Sequence, residues 1–560
     1  MDKPSDGRSP KASKPPLDET DQSRVSDPKI VEGIVDQAGS RWLRIEQDGL
    51  SVWIETLDLG SGGAAATKKL TSGGIVVLRN SSIQRLAEAA ESFGGYRAGL
   101  IAKEPGWIGN QFVYGDGTIF APRGEIPVNS QLKPIKKYGC KGTLAEWDAE
   151  ISPLISRQAI LKFGLSLPFA GPLLALVVGT PLEVQNPIFE TVSDSSTGKS
   201  SVLRSAGSIL GYDDRDTGFA DSWGASVAGT RVLMPMHNDM FLGLDEASMA
   251  GPSKDAQRRF IAEVVHVLAH GTEKITKPEG VPNRSFRLVT LSTSNHSLLD
   301  MVTSHDSAYG PLKARLISIK VPGQRPYGLL SRLPTSYQTS GEAIDALKAM
   351  TTRQYGTPMR QYLQRLVEAR KADPKGLIEK IEKHARLFLA EVGIEPRDPI
   401  RTRRAKSMAL VYAASVLARD WGALPRQNAV GSYLRSFKIV WGWIEGKPAR
   451  RSALESARRY VRAKRQTFKK VKTPVAMTKK ALSKVRGLIK TTKGQRELLI
   501  PTTAKRPSWL GLKGRKELKA AGLLECDTDR YDIKRAVRLG NDGKPVLDRF
   551  YAIRLDRLKS

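Results

Sequence analysis

The sequence predicts an α/β protein built around a three-layer core with a parallel sheet, and three observations carry that expectation. Helical and strand-like segments alternate from about Leu144 to about Pro322, the pattern that lays helices on both faces of parallel strands. A Gly-Lys-Ser loop stands between the apolar run Pro187–Val192 and a helix expected near Val202–Leu210. Further along, the apolar run Met240–Leu244 ends in Asp245-Glu246.

The elements follow in order. Residues 1–30 are rich in Pro, Ser, Lys and Asp, and are expected to be a disordered tail. Residues 31–142 read as a small N-terminal α/β domain. Leu50–Ile54 and Ile75–Leu78 are expected strands and Ile83–Phe93 a helix, with a hairpin of Gln111–Tyr114 and Thr118–Phe120 about Gly115-Asp116-Gly117. The core occupies residues 143–325. Residues 340–450 turn helical, with apolar spacing in Ala343–Met350, Tyr362–Val367, Leu377–Phe388 and Met408–Leu417. A Lys/Arg-dense helical segment is expected over 451–500. Over 501–560 a helix near Lys513–Leu524 precedes a hairpin about Asn541-Asp542-Gly543, an order that suggests a winged helix. No internal repeat is visible.

Composition narrows the function classes. The chain has 560 residues, 40% hydrophobic and 26% charged, enough for about two to four folded domains. Cys140 and Cys526 are the only cysteines. They permit neither a disulfide scaffold nor a zinc module, and fit a reducing cytoplasm. The net charge is +32, and residues 401–560 hold 41 Lys and Arg against 12 Asp and Glu, leaving only +3 for residues 1–400. A polycation joined to a nearly neutral body attracts polyanions, nucleic acid first. No secretory signal opens the chain. Phe163–Leu182 is uncharged and long enough to span a bilayer, but it contains Pro168, Pro172 and Pro181 and runs into the Gly-Lys-Ser loop, so a buried helix is expected and no membrane partner.

The loop carries the chemistry. In Ser193-Asp194-Ser195-Ser196-Thr197-Gly198-Lys199-Ser200, backbone N–H groups and the helix N-terminus suit phosphate. Lys199 would reach the β and γ oxygens, and the Ser200 hydroxyl would ligate Mg²⁺. Ser195, Ser196, Thr197, Gly198 and Ser201 complete the expected ATP contacts. Ser193 replaces the usual first glycine, a change that either tightens or weakens the turn. Asp245 would hold Mg²⁺ and Glu246 would orient or deprotonate the attacking water, although an acidic pair is also an ordinary surface turn. The run Arg287–Ser292 leads into Thr293-Ser294-Asn295, making Asn295 a γ-phosphate sensor or simply a helix cap. Arg315 precedes a last strand, where ring-forming ATPases present a finger to the neighbouring subunit; a plain surface arginine is the alternative.

These residues together resemble domain-of-unknown-function family 927. The likeness rests on Gly106-Trp107, Gly142–Asp148, Ser195–Ser200, Ser222-Trp223-Gly224-Ala225, His237-Asn238-Asp239, Leu244-Asp245-Glu246 and Leu291-Ser292-Thr293, and spans roughly residues 40–555. That family comprises helicase-like P-loop proteins of prophages and mobile elements, similar to minichromosome-maintenance-type replicative helicases. The resemblance implies an AAA+-like P-loop NTPase core with a helical lid and a C-terminal winged-helix-like unit, working as a homo-hexamer on ATP and Mg²⁺. It further implies that Ala262–Gly280 forms a pore hairpin in which Lys277, with Lys274 beside it, contacts single-stranded DNA; a solvated turn is the alternative. Arg403 and Arg404 resemble a sensor-two arginine, with Arg404 the expected nucleotide contact. The expected activity is ATP-dependent DNA translocation or unwinding, with the basic C-terminus on duplex DNA. An ATP-switched initiator or loader that unwinds nothing is the alternative.

Overall fold

The computed structural model describes residues 26–60, 63–77, 80–125, 128–132, 134–195, 197–212, 218–224, 227–272, 285–301, 315–322, 327–394, 398–446, 453–492, 494–504, 506–527 and 530–558. The chain is a mixed α/β protein divided into two compact units, Met1–Gly446 and Lys447–Ser560.

The first unit opens with a four-stranded sheet in the order Leu50–Glu55, Arg41–Gln47, Lys29–Val35, Tyr96–Ala98. Its apolar face (Leu43, Ile45, Ile54) packs with Leu70 and Leu86 from the helices that follow. The first strand begins at Lys29, inside the stretch expected to be disordered; residues 1–25 lie outside the described residues. The strand expected at Ile75–Leu78 is absent over 75–77, and Leu78 lies outside the described residues. Val76 makes its backbone bonds to a side chain instead of a neighbouring strand. Its N–H donates to Gln47 Oε1 at 2.6 Å and its carbonyl accepts from Gln47 Nε2 at 3.1 Å, so no ladder is needed to satisfy it. The expected hairpin is present, Gln111–Val113 pairing with Ile119–Phe120. Gly117 supplies the positive φ of 87° that closes its turn.

The core begins at Leu144–Ile155, whose start is fixed by a capping box: Thr143 Oγ1 accepts from Glu146 N at 3.2 Å, and the Glu146 carboxylate accepts from Thr143 N at 3.0 Å. The apolar segment forms the helix Ala159–Leu174, every residue of which is buried. Gly164 and Gly171 let it approach closely, since a Cβ at Gly171 would lie 2.7 Å from the Met240 backbone. Among the described residues no helix is long and apolar enough to cross a membrane. The central sheet has five strands in the order Asp221–Ser222, Met240–Asp245, Leu288–Ser294, Ile188–Val192, Leu316–Lys320. All pairings are parallel. Val192 pairs with Ser294 and Lys320, and Ser222 with Asp245, so the strands deliver their C-terminal ends to one edge. Among the described residues five helices follow, Ser340–Arg353, Thr357–Ala372, Pro374–Val392, Pro399–Asp420 and Val430–Ile444. Thr339, Asp373 and Asp398 cap three of them.

The second unit corrects the helical expectation for 451–500. Among the described residues α-helix occupies Ala453–Lys464 and Lys479–Ser483, with one 3-10 turn at Arg465–Thr467. Beyond Lys464 the apolar positions Phe468, Val471, Val475, Leu482, Val485 and Ile489 keep a helix-like spacing, yet Lys469–Lys470, Val475–Ala476 and Leu488–Thr492 are strands whose backbones pair within a sheet. Leu488–Thr492 pairs antiparallel with Gln495–Pro501 across Gly494, whose φ of 76° makes the turn. These strands share one seven-stranded sheet with Ile533–Leu539 and Pro545–Arg554, so a single sheet runs across residue 500. The helix expected at Lys513–Leu524 is Leu512–Ala520, stopped before Gly522 (φ 65°), with Leu524 already in a strand. The late hairpin turns at Asn541-Asp542-Gly543, Gly540 N donating to Lys544 O at 2.8 Å.

Candidate functional site

The common edge of the central sheet gathers most of the residues singled out in the sequence. Gly198 adopts φ 100°, a conformation that favours glycine, and opens the helix Lys199–Ser208 with no side-chain cap at its N-terminus. A helix start left uncapped presents N–H groups and the positive end of its dipole to an anion. Ser193 is not among the described non-glycine residues with positive φ, so serine costs the loop no backbone strain. Its hydroxyl lies 2.6 Å from Thr197 Oγ1, and Thr197 Oγ1 donates to Asp194 O at 2.8 Å. The serine therefore closes the loop across its own span.

Lys199 is only 7% exposed. Its Nζ donates at 2.8 Å to Ser193 O, Asp194 O and Asn295 Oδ1. Burial draws the Lys199 pKa below its usual value, while the Glu246, Asp245 and Asp194 carboxylates pull it back up. Asn295 Oδ1 is thus engaged by the loop lysine. At the start of the helix Leu298–Met301 the Glu190 carboxylate accepts from Leu298 N at 2.9 Å, and Ser297 Oγ accepts from Leu299 N at 3.2 Å.

Ser200 Oγ donates to Asp245 Oδ1 at 3.2 Å, and Thr293 Oγ1 donates to the same oxygen. Thr293 Oγ1 also accepts from Glu246 N at 3.2 Å. Glu246 holds φ 56°, left-handed for a residue with a side chain, a strain that residues at functional edges often carry. Its half-buried carboxylate accepts from Ser248 Oγ. A hydroxyl beside a buried carboxylate, with a second carboxylate one residue on, is a donor set suited to a hard divalent cation and to a water held next to it. Beside the loop a cavity of about 370 Å³ is lined by Ser193, Asp194, Thr197, Asn295, Lys320 and Leu329. Leu329 N closes its wall by donating to Thr197 O at 3.0 Å.

The remaining expected residues lie less centrally. Ser195 is exposed at the loop tip, whereas the Ser201 side chain is buried and its N–H donates to Gly198 O at 3.1 Å. Arg315 is half-buried; burial, and then Arg403, lowers its pKa, which brings these two guanidinium groups within electrostatic reach of one another. Arg404 loses basicity to burial, while the Glu445 and Asp398 carboxylates act to raise it. Ser196, Lys274 and Lys277 lie outside the described residues.

Sequence reasoning missed Thr293 and Glu190 as site residues. Glu190 left a signal, being the one charge in the apolar run Pro187–Val192. Two quoted motifs prove to be scaffolding. Asp239, fully buried in the turn just before the strand that Asp245 ends, accepts from Arg287 Nε at 2.6 Å and from Trp107 N at 3.1 Å, and Asn238 Nδ2 donates to Pro105 O at 2.9 Å. Trp223 joins two strands at the site edge, its N–H donating to Asp245 O at 3.1 Å and its Nε1 to Ser292 Oγ at 3.0 Å.

Residues 17–276 match the family described as domain of unknown function DUF927. A solved structure described as SCCmec type IV Cch, an active helicase, is 14% identical, covers 96% of this chain and 95% of its own, and superposes with a TM-score of 0.53. That likeness shows a shared fold. The C-terminal region of NrS-1, in its apo form, is 10% identical over 74% of this chain and 88% of its own, with a TM-score of 0.25. No curated protein matches the chain.

Proposed function

We propose that the chain is an ATP-dependent DNA helicase or translocase with an AAA+-like core. The single observation that carries this reading is the convergence of Lys199, Ser200, Asp245, Glu246 and Asn295 at one edge of a parallel sheet. Insertion of Leu288–Ser294 between the loop strand and the acidic strand supports the AAA+-like assignment, because it seats Asn295 against Lys199. The phosphates of ATP would lie on the loop N–H groups, with a phosphate oxygen taking the Lys199 ammonium from the Ser193 and Asp194 carbonyls. Ser200 and Asp245 would hold Mg²⁺, which when bound offsets phosphate charge. Glu246 orients and accepts a proton from the attacking water, and Asn295 reports the γ-phosphate to Lys199. Arg315 and Arg403, two cations near one another, suit an anion brought by a neighbouring subunit of a hexameric ring. Arg404, held among Glu445 and Asp398, is the weaker nucleotide contact. Nucleic acid as the partner is supported by a second unit that holds 33 Lys and Arg against 10 Asp and Glu over residues 447–560, and the helix followed by a hairpin at its end suits a winged-helix-like role on duplex DNA.

The test is strand displacement on a forked DNA with ATP. The full chain is expected to release the strand and Glu246→Gln to bind the fork without releasing it. ATP hydrolysis without displacement by the wild type would favour a loader.

A further inference from the structure

The second unit carries a cavity of about 1070 Å³ that belongs to no part of the sheet-edge site. One wall is the helix Ala453–Lys464, another the strand Lys469–Lys470, which pairs parallel with Leu488 and Ile489, and the third is the short helix Leu555–Leu558. Its floor is apolar, formed by Val461, Phe468, Val471, Ile489, Leu555 and Leu558. Its charged lining is entirely cationic: Arg458, Arg462, Lys470, Lys472 and Arg496. Two of the five are tied down, Arg458 Nε donating to Leu558 O at 2.9 Å and Arg496 paired with Asp556. Arg462, Lys470 and Lys472 are exposed and make no ion pair among the described residues. The stretch 453–472 that builds this wall has eight Lys and Arg and a single acidic residue, Glu455.

We infer that this groove binds single-stranded nucleic acid, with phosphates along the rim of Arg462, Lys470 and Lys472 and bases against the apolar floor. Charge complementarity selects a polyanion. The apolar concave floor selects a strand whose bases are unpaired, because a duplex offers only its phosphate cylinder to such a surface. The assignment rests on the nucleic-acid-directed reading above, but it locates a contact outside the ATPase core and independent of hydrolysis.

The experiment is fluorescence anisotropy of a labelled oligothymidylate with the full chain, without nucleotide, across a salt series. Reversing Arg462→Glu, Lys470→Glu and Lys472→Glu together is expected to weaken binding at least about tenfold and to flatten the slope of log affinity against log salt by about 2, from about 0.7 per lost phosphate contact. The matched reversal of exposed Lys516, Lys534 and Lys544 is expected to cost less single-strand affinity. The swap Arg462→Lys, Lys470→Arg, Lys472→Arg is expected to retain it. Photocrosslinks from a thiothymidine strand to the wild type, mapped by mass spectrometry, are expected within 458–472 and 489–496. Equal losses from the two reversals, equal loss on blunt duplex, crosslinks elsewhere, or displacement of the strand by polyglutamate at equal charge would overturn the assignment. Absence of ATPase activity with these results intact would instead defeat the motor reading alone.

Discussion

Glu190 offers a sharp test of how the site is held. It has no exposed surface, and its carboxylate accepts from Leu298 N, Ser297 Oγ and Ser318 Oγ, joining the loop strand to the segment just after Asn295 and to the edge strand. Burial raises its pKa. In Glu190→Ala the two serine hydroxyls, 3.1 Å apart, can bond to each other, so the group left without a partner is the Leu298 N–H. An orphaned buried donor costs about 1–3 kcal/mol, and the vacated side-chain volume adds about 2 kcal/mol. Relief of the buried charge offsets part of this, leaving a net loss of about 2–4 kcal/mol. Freed at its base, the Asn295 turn no longer fixes the amide at 2.8 Å from Lys199. A misplaced transition-state contact is worth about 10- to 100-fold in kcat, while KM for ATP should stay within about threefold because Lys199 and Ser200 are untouched. Glu190→Gln keeps an oxygen for Leu298 N–H and should remain within about threefold of wild type. Steady-state ATPase assays and thermal melting read both variants. A Glu190→Ala protein with unchanged kcat, or a Glu190→Gln protein as damaged as the alanine variant, would refute a positioning role.

Three other outcomes follow from the same geometry. Ser193→Gly removes the bond to Thr197 and adds backbone freedom, so nucleotide affinity, measured by titration, should fall by no more than about tenfold; tighter binding would mean the serine is strained. Lys162, buried with its ammonium on Ser432 Oγ, has its pKa pulled down to about 8 by burial and then by Arg435. Lys162→Met should therefore stabilise the fold by about 1–3 kcal/mol at neutral pH. That gain should shrink as pH rises from about 8 toward the ordinary 10.5, where the unfolded lysine keeps its proton and the folded one has lost it; a gain constant with pH would contradict the buried charge. Trp223→Phe should cost about 1–2 kcal/mol in melting experiments, through the lost bond to Ser292 and the smaller ring, and should lower kcat because Ser292 leads into Thr293.

Local pattern made the loop, the acidic pair and Asn295 legible, since each lies at the end of an apolar run whose neighbours fix its geometry. The roles of Thr293 and Glu190 depend on strand order. Leu288–Ser294 and Leu316–Lys320 flank Ile188–Val192 although both come far later in the chain, with two further strands of the same sheet between. No spacing in the sequence encodes that adjacency. The basic stretch after Lys464 read as helix because charge density masks pairing: Lys469–Lys470 is a strand whose side chains are both exposed, so no apolar alternation marks it. Val76 shows a third limit, since one glutamine side chain replaced a whole strand partner.

The central claim is that a triphosphate gripped by Lys199 is cleaved at Asp245 and Glu246. DNA-stimulated phosphate release by the full chain beside Lys199→Ala and Glu246→Gln tests it most directly, with binding of a fluorescent ATP analogue measured in parallel. Lys199→Ala should lose both binding and turnover, and Glu246→Gln should bind nucleotide like the wild type while turnover falls at least about a hundredfold. Turnover that survives both substitutions would contradict the account.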